Sequence, residues 1–286
     1  MRYLACSYYT VAGVSPTAGL ASPLSFETRA RACAEAGYKG VGVHMRDYLA
    51  LRRGGTTDIQ LAAVLRENGL RCTEVEFLLN WFADGELGEI ARRDEEVLYQ
   101  AAEALGAPVM NLTGDLQPGN PMPPEQMAEK FAGLCARAAQ RGVTIGVEPV
   151  AWSNIGDVDD ALRLIDAAGV ANAGLVLDVW HLYRRGFDYE RLRAVPPERI
   201  VGVQLDDAQE EVRGGGLPAD SIDHRALPGE GAARAADFVR VLDEIGTTCP
   251  LSVEVLSVEQ RARPLHEAAE ASYRAARRVV DEAAVR

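Results

Sequence analysis

The 286-residue chain contains little cysteine, and its few cysteines are far apart. There are five, an odd number, and no two of them form a C-x-x-C pair: Cys6, Cys33, Cys72, Cys135 and Cys249. A disulfide framework needs an even set, and a zinc–thiolate site needs closely spaced pairs. The pattern therefore argues against both and is typical of a protein in the reducing cytoplasm.

Long hydrophobic runs are also missing. No apolar run approaches the roughly 20 residues that a membrane-spanning helix needs. The first six residues lack the apolar stretch of a secretory signal. We therefore expect a cytoplasmic protein without a membrane partner. The 48% of hydrophobic residues are sufficient for a sizeable core.

Basic residues are scarce, because 30 lysines and arginines face 42 acidic residues, for a formal net charge of −12. Such a charge repels phosphate backbones, and nucleic-acid binding requires at least a basic stripe. The adjacent arginine pairs are isolated from one another along the chain. The composition thus indicates a small-molecule substrate as the partner and no nucleic acid, while a homo-oligomer stays open.

Eight short β-rich runs alternate with segments of helical spacing. The predicted strands are residues 3–9, 40–44, 72–77, 108–113, 143–148, 174–179, 200–205 and 251–255. Eight such βα repeats predict an α/β fold, a single (β/α)8 TIM barrel over residues 1–286 with a C-terminal helix at about 258–284. A doubly wound open sheet is the alternative, but the glycine-rich phosphate loop that it often carries does not follow the first strand.

The last four predicted strands each contain or end on an oxygen-bearing side chain, and barrel active sites lie at the C-terminal ends of the strands. These side chains belong to Glu148, Asp178, Gln204 and Glu254. Taken singly, each acid is an ordinary strand-end residue that pairs with an arginine or caps a helix. Three carboxylates buried at one level require a cation. The four residues together predict a site for one divalent metal, Mn²⁺ or Mg²⁺ first and Co²⁺ as a further option.

The motifs around these residues resemble the xylose-isomerase-like barrel superfamily of sugar phosphate isomerases and epimerases, over nearly the full length. They are Val147-Glu148-Pro149, Asp178-Val179-Trp180-His181, Gln204-Leu205-Asp206-Asp207, Arg225-Ala226-Leu227-Pro228-Gly229 and Val253-Glu254-Val255. The resemblance implies that Glu148, Asp178, Gln204 and Glu254 bind the metal. It also implies that His181 and Arg225 contact substrate oxygens, and that Glu148 and Glu254 transfer protons.

Gln204 departs from the commoner family pattern, which has histidine in an H-x-x-D motif on strand 7. Glutamine at this position resembles the hydroxypyruvate isomerase branch. Because an amide oxygen is a hard, neutral ligand, it favours Mg²⁺ or Mn²⁺ over zinc.

Two further residues are candidates for binding the substrate. His44 closes the second predicted strand. Glu76 alternates with Glu74 along the third, so the two acids share one face. If that face is the barrel interior, Glu76 reaches the substrate; if it is the outer face, both acids are solvent-exposed. The sequence leaves both options open.

A metal that chelates a carbonyl and its neighbouring hydroxyl stabilises an enediolate, and a glutamate beside it can remove and return the proton. We therefore expect a metal-dependent isomerase or epimerase acting on a sugar-like molecule or a keto-polyol. The resemblance also implies an alternative, a metal-dependent dehydratase, which is a lyase, acting on a keto-inositol or a dehydroshikimate-like ring. A barrel that binds a ligand without catalysis is a third reading, against which the buried acids argue.

Overall fold

The computed structural model describes residues 2–117 and 122–285. Within these residues, eight parallel strands form one closed barrel in chain order, β1 to β8. Pairing of Leu4 with Leu251 and of Cys6 with Val253 closes it between β1 and β8. The (β/α)8 prediction is thus confirmed. The strands are β1 Leu4–Cys6, β2 Gly40–His44, β3 Arg71–Leu78, β4 Val109–Leu112, β5 Thr144–Val147, β6 Ala173–Asp178, β7 Ile200–Leu205 and β8 Leu251–Val253.

Twelve α-helices occur in the same described residues, and most of them follow a strand. They are α1 Tyr8–Val11, α2 Phe26–Ala36, α3 Met45–Arg53, α4 Asp58–Glu67, α5 Gly85–Leu105, α6 Ala128–Gln140, α7 Val158–Ala168, α8 Val179–Arg184, α9 Leu217–Asp223, α10 Ala235–Glu244, α11 Val258–Ala262 and α12 Leu265–Ala284. No helix of the described residues combines the length and the apolar composition that crossing a membrane requires.

Local sequence signals explain where several helices begin and end. Thr57 and Gln60 form a reciprocal capping box at the start of α4, and the Asp157 carboxylate accepts the Asp160 backbone N–H at the start of α7. Gly106 ends α5 in the left-handed conformation that favours glycine. The apolar stripe of α6, which includes Phe131 and Leu134, is fully buried against the barrel.

Two predicted boundaries are wrong. The first strand ends at Cys6, and Tyr8–Val11 forms a helix instead of continuing the strand to residue 9. The C-terminal segment is not one helix over 258–284, because it divides into α11 and α12 around Arg263 and Pro264. Proline locks its own φ and disfavours helical conformation at the residue before it, so a helix ends there.

Candidate active site

The proposed ligands lie at the end of the barrel where the strands terminate. Asp178 is the last residue of β6 and is the sheet partner of Gln204 on β7. Glu148 and Glu254 come directly after β5 and β8, and their backbone N–H groups still donate to Leu112 and Leu205 of the neighbouring strands. Parallel pairing therefore places these four residues at one rim of the barrel.

Glu148, Asp178 and His181 form a cluster of metal-type donors. One atom from each lies within 4.8 Å of the others, and all three residues are buried. His181 is three residues after Asp178, and its backbone N–H donates to Asp178 Oδ1 at 3.0 Å as α8 begins. The first turn of α8 thus carries the imidazole back toward the strand-end acids.

The hydrogen bonds of His181 indicate which of its two ring nitrogens carries the proton. Its Nδ1 accepts the Ala151 backbone N–H at 3.2 Å, so in the neutral ring the proton is on Nε2. Burial lowers the pKa of His181 to about 3, which keeps the ring neutral. Nε2 lies 3.5 Å from Glu148 Oε1. A protonated Nε2 donates to an oxygen rather than binding a metal, so the carboxylates are the better ligands in this cluster.

Arg225 connects Asp178 to two further acids. Its Nη1 donates to Asp178 at 2.6 Å, to Asp206 at 2.7 Å and to Glu254 at 3.3 Å. Its Nη2 donates to Ser221 Oγ at 2.9 Å and lies 3.4 Å from His181 Nε2. The guanidinium is buried and stays charged, so it offsets part of the negative charge that these carboxylates concentrate here.

Three members of this network were not singled out from the sequence. Asp206 accepts from Arg225 and from the Trp180 backbone, Ser7 donates to Glu254 Oε1 at 2.7 Å, and Ser221 holds Arg225. Asp206 lies in the strand-7 motif, where its position two residues after Gln204 is a usable signal. Nothing in the sequence around Ser7 or Ser221 marks either serine, because only the fold brings them to this rim.

Burial raises the pKa of both glutamates in the proposed metal set. The pKa of Glu148 is well above its ordinary value, first because of desolvation and then because of the Glu254 and Asp178 charges. The pKa of Glu254 is raised by the same burial, while Arg225 and the Ser7 hydroxyl oppose the shift. Burial disfavours the charged form of these carboxylates, and a cation bound beside them would stabilise that charged form.

A cavity of about 350 Å³ opens over this rim. It is lined by Glu148, Glu254, His181 and Arg225, and also by the two residues that the sequence left open, His44 and Glu76. Glu76 therefore faces the barrel interior, not solvent. His44 is buried, its pKa is lowered to about 4 by desolvation, and its Nδ1 caps α3 through the Arg46 N–H. Asp178 and Gln204 are buried and do not line this cavity.

The donor set fits a divalent ion. Gln204 Oε1 and Glu76 Oε1 are buried and have no hydrogen-bond partner among the described residues. An unpaired buried oxygen costs free energy, and a cation is one group that satisfies it. Carboxylate and amide oxygens are the ligands that hard divalent ions prefer. The residues present at this rim thus suit such an ion.

The barrel and this set of residues agree with one known family. The sequence model of this family, which is described as xylose isomerase-like TIM barrel, matches residues 30–282 of the chain. The chain belongs to this family. The resemblance drawn from the strand-end motifs is confirmed.

Among curated proteins, the chain is similar to a dehydratase and to an isomerase. It is 31% identical over 169 residues to 3-dehydroshikimate dehydratase of Pseudomonas aeruginosa. The matched residues are 57% of this chain and 23% of that protein. It is 29% identical over 134 residues to inosose isomerase of Bacillus velezensis, 46% of each. The matched residues thus span less than half of either relative's length.

Among solved structures, the chain is similar to the IolI protein with a bound zinc atom. The TM-score is 0.84 at 18% identity, and the match covers 99% of this chain and 100% of that one. At this identity the likeness shows the shared fold. In this chain, the donor atoms of Glu148, Asp178 and His181 are close enough together that they could hold a metal ion.

Proposed function

We propose that the protein is a divalent-metal-dependent isomerase or epimerase that moves a proton next to the carbonyl of a small sugar-like molecule or keto-polyol, through an enediolate. The observation that carries the proposal is the convergence of buried acids at one rim of the barrel, beside a cavity of small-molecule size. Glu148 and Asp178 belong to one donor cluster, and Asp178 and Glu254 both accept from Arg225 Nη1. Burying like charges together costs free energy unless an opposite charge compensates them, and a bound cation would do so.

In this proposal, Glu148, Asp178, Gln204 and Glu254 hold the ion, and Mn²⁺ or Mg²⁺ suits the oxygen-rich set. When bound, the ion polarises the substrate carbonyl and stabilises the negative charge that develops on its oxygen. Co²⁺ is an alternative ion for the same ligands.

The chain's own residues supply the proton transfer and the orientation. Glu148 and Glu254 both line the cavity, so one can take a proton from the substrate carbon while the other returns it at the neighbouring carbon or the opposite face. His181 offers an Nε2–H to a substrate oxygen. Arg225, fixed by Asp206 and Ser221, orients the second oxygen and holds the acids in place.

A dehydratase, a lyase on a cyclic keto-polyol, is the second candidate. It uses the same proton removal, followed by loss of a hydroxyl group as water, which needs a proton donor at the leaving oxygen. The glutamate that has taken the proton from carbon can give it to the leaving oxygen, while the neutral His181 Nε2–H donates a hydrogen bond to that oxygen. The 31% identity to a 3-dehydroshikimate dehydratase also favours this candidate.

The test is turnover in deuterium oxide on ketoses, keto-inositols and dehydroshikimate, with Mn²⁺ added and again after chelation with EDTA. We expect metal-dependent turnover of one substrate class. An isomerase or epimerase product should carry deuterium beside the carbonyl, whereas a dehydratase product should have lost the hydrogen and the hydroxyl group. Undiminished turnover after thorough chelation would contradict the metal. An isomerase or epimerase product without deuterium from solvent, or a product with no bond broken beside the carbonyl, would contradict the chemistry.

A further inference from the structure

The active-site cavity contains a second arginine, Arg46, besides the one in the carboxylate network. Arg46 is the second residue of α3 and lies just after β2, so it is at the barrel end where the strands terminate. Its backbone N–H donates to His44 Nδ1 at 3.1 Å, which anchors the point where its side chain leaves the helix.

The two arginines of the cavity differ in how much of their hydrogen-bonding capacity is already used. Arg225 is 3% exposed, and its three nitrogens contact three carboxylates, Ser221 and His181. Arg46 is 42% exposed, and its side chain makes one ion pair, from Nη2 to Asp94 Oδ2 at 2.8 Å. Its other N–H groups have no partner among residues 2–117 and 122–285.

Charge inside the cavity restricts where an anionic group can bind. The cavity is lined by Glu76, Glu148 and Glu254, whose negative charges repel the carboxylate of a ligand. Arg46 is paired with a single acid, Asp94, whose pKa is raised because it is partly desolvated. A guanidinium presents two edges to acceptors, so one edge can hold Asp94 while the other binds an incoming carboxylate in the bidentate manner.

One part of the wall of this cavity is apolar. Met45, Leu79, Ile90 and Leu116 line the same cavity as Arg46. A molecule with hydroxyl groups on every carbon would leave some of them unpaired against this wall, at a cost in free energy. A molecule with part of its skeleton unsubstituted fits the wall better.

We propose that Arg46 binds a substrate carboxylate, and that the substrate is a small hydroxy-keto monocarboxylate with a partly apolar skeleton. The inference rests on the proposed function, which assigns the carbonyl end of the substrate to Glu148 and Glu254. Arg46 then determines specificity for charged over neutral keto-polyols, because only the charged ones gain the guanidinium contact.

The test measures binding, not turnover, with shikimate and its neutral methyl ester as probes, by isothermal titration calorimetry with Mn²⁺ present. Shikimate is a ring carboxylate with a hydroxyl in place of a carbonyl, so the proposed reaction does not consume it. We expect the wild type to bind shikimate about tenfold or more tightly than the ester, as for a hydrogen bond to a charged group. Arg46→Gln should lose that preference, and Asp94→Asn should enlarge it.

Arg53→Gln is the matched control, because Arg53 is an exposed residue of the same helix outside the cavity and its loss changes the net charge equally. It should keep the preference for shikimate. Equal binding of both probes by the wild type, no binding of either, or equal weakening of both in Arg46→Gln would overturn the proposal. Deuterium incorporation into a neutral keto-inositol would support the proposed function while contradicting the role of Arg46.

Discussion

Glu148 and Glu254 are two of the three glutamates that line the cavity, and each has a distinct neighbour. Glu148 faces His181 Nε2, and Glu254 accepts from Ser7 and Arg225. These different partners hold the two carboxylates in different environments. Such a difference is what a pair of proton-transfer groups needs if one is to take a proton and the other to return it.

For this pair, Glu148→Gln and Glu254→Gln should each lower kcat by about 100-fold or more, since each removes an acid–base group. Glutamine keeps the size and one oxygen, so circular dichroism should stay native. Glu259→Gln, at an exposed position of α11, is the control and should keep wild-type kcat. Wild-type deuterium exchange at the substrate carbon in both active-site variants would mean that neither glutamate is the base.

Gln204 differs from the other proposed ligands because its side chain is neutral. Its amide oxygen is buried beside Asp178 with no hydrogen-bond partner among the described residues. The imidazole of histidine is a better donor for zinc, whereas an amide oxygen suits harder ions.

Gln204→His should therefore raise the affinity for Zn²⁺ relative to Mg²⁺, and Gln204→Ala should weaken the binding of every metal, because one protein ligand is lost. Calorimetric titration of the metal-free protein with each ion measures both effects directly. If both variants bind all ions as the wild type does, Gln204 is a structural residue.

At the scale of elements, helix α7 follows the loop that carries Ala151, the backbone donor to His181. The start of α7 is fixed by Asp157, whose carboxylate accepts the Asp160 N–H at 3.0 Å. This cap satisfies one of the backbone N–H groups that a helix start leaves unpaired. The cap therefore fixes the residue at which this loop ends. This helps to keep the Ala151 N–H within hydrogen-bonding distance of His181 Nδ1.

Asp157→Ala should lower the free energy of unfolding by about 1 kcal/mol, the usual cost of a lost N-cap. Asp157→Asn is the control and should stay close to wild type, because the asparagine side-chain oxygen also accepts from the helix. Urea unfolding followed by circular dichroism measures the difference. Equal stability of the alanine and asparagine variants would show that the cap contributes nothing.

For the whole molecule, the barrel interior contains an acid outside the proposed metal set. Glu74 of β3 is buried and accepts the Ser252 hydroxyl of β8 at 2.6 Å, across the barrel. Burial raises its pKa to about 7, with a smaller contribution from the Glu254 charge. A carboxyl with a raised pKa in the folded state stabilises the fold at low pH, and this stability is lost as the pH rises through about 7.

Glu74→Gln should therefore raise the melting temperature of the metal-free protein more at pH 8 than at pH 5. At pH 5 the buried glutamic acid is neutral and resembles glutamine, and the amide oxygen still accepts from Ser252. Differential scanning calorimetry at the two pH values measures this. The exposed variant Glu259→Gln should give no such pH-dependent difference. An equal shift at both pH values would contradict the assignment.

The amino-acid pattern by itself determined the class of fold and the approximate positions of the strands. Alternating apolar runs and helical stripes are local, and eight of them with short connections predict a closed barrel. The acids that end the apolar runs of strands 5, 6 and 8 were visible for the same reason, since a strand end is a local feature. Local chemistry also marked Thr57 and Asp157 as caps.

Tertiary structure alone decided which residues meet. Ser7 contacts Glu254 across 247 positions of sequence, and Glu76 faces the cavity only because β3 lies between β2 and β4 in one orientation. The proton on His181 Nε2 is determined by the Ala151 backbone, 30 residues earlier in the chain. No local pattern carries this information, because barrel closure brings together side chains from distant βα units.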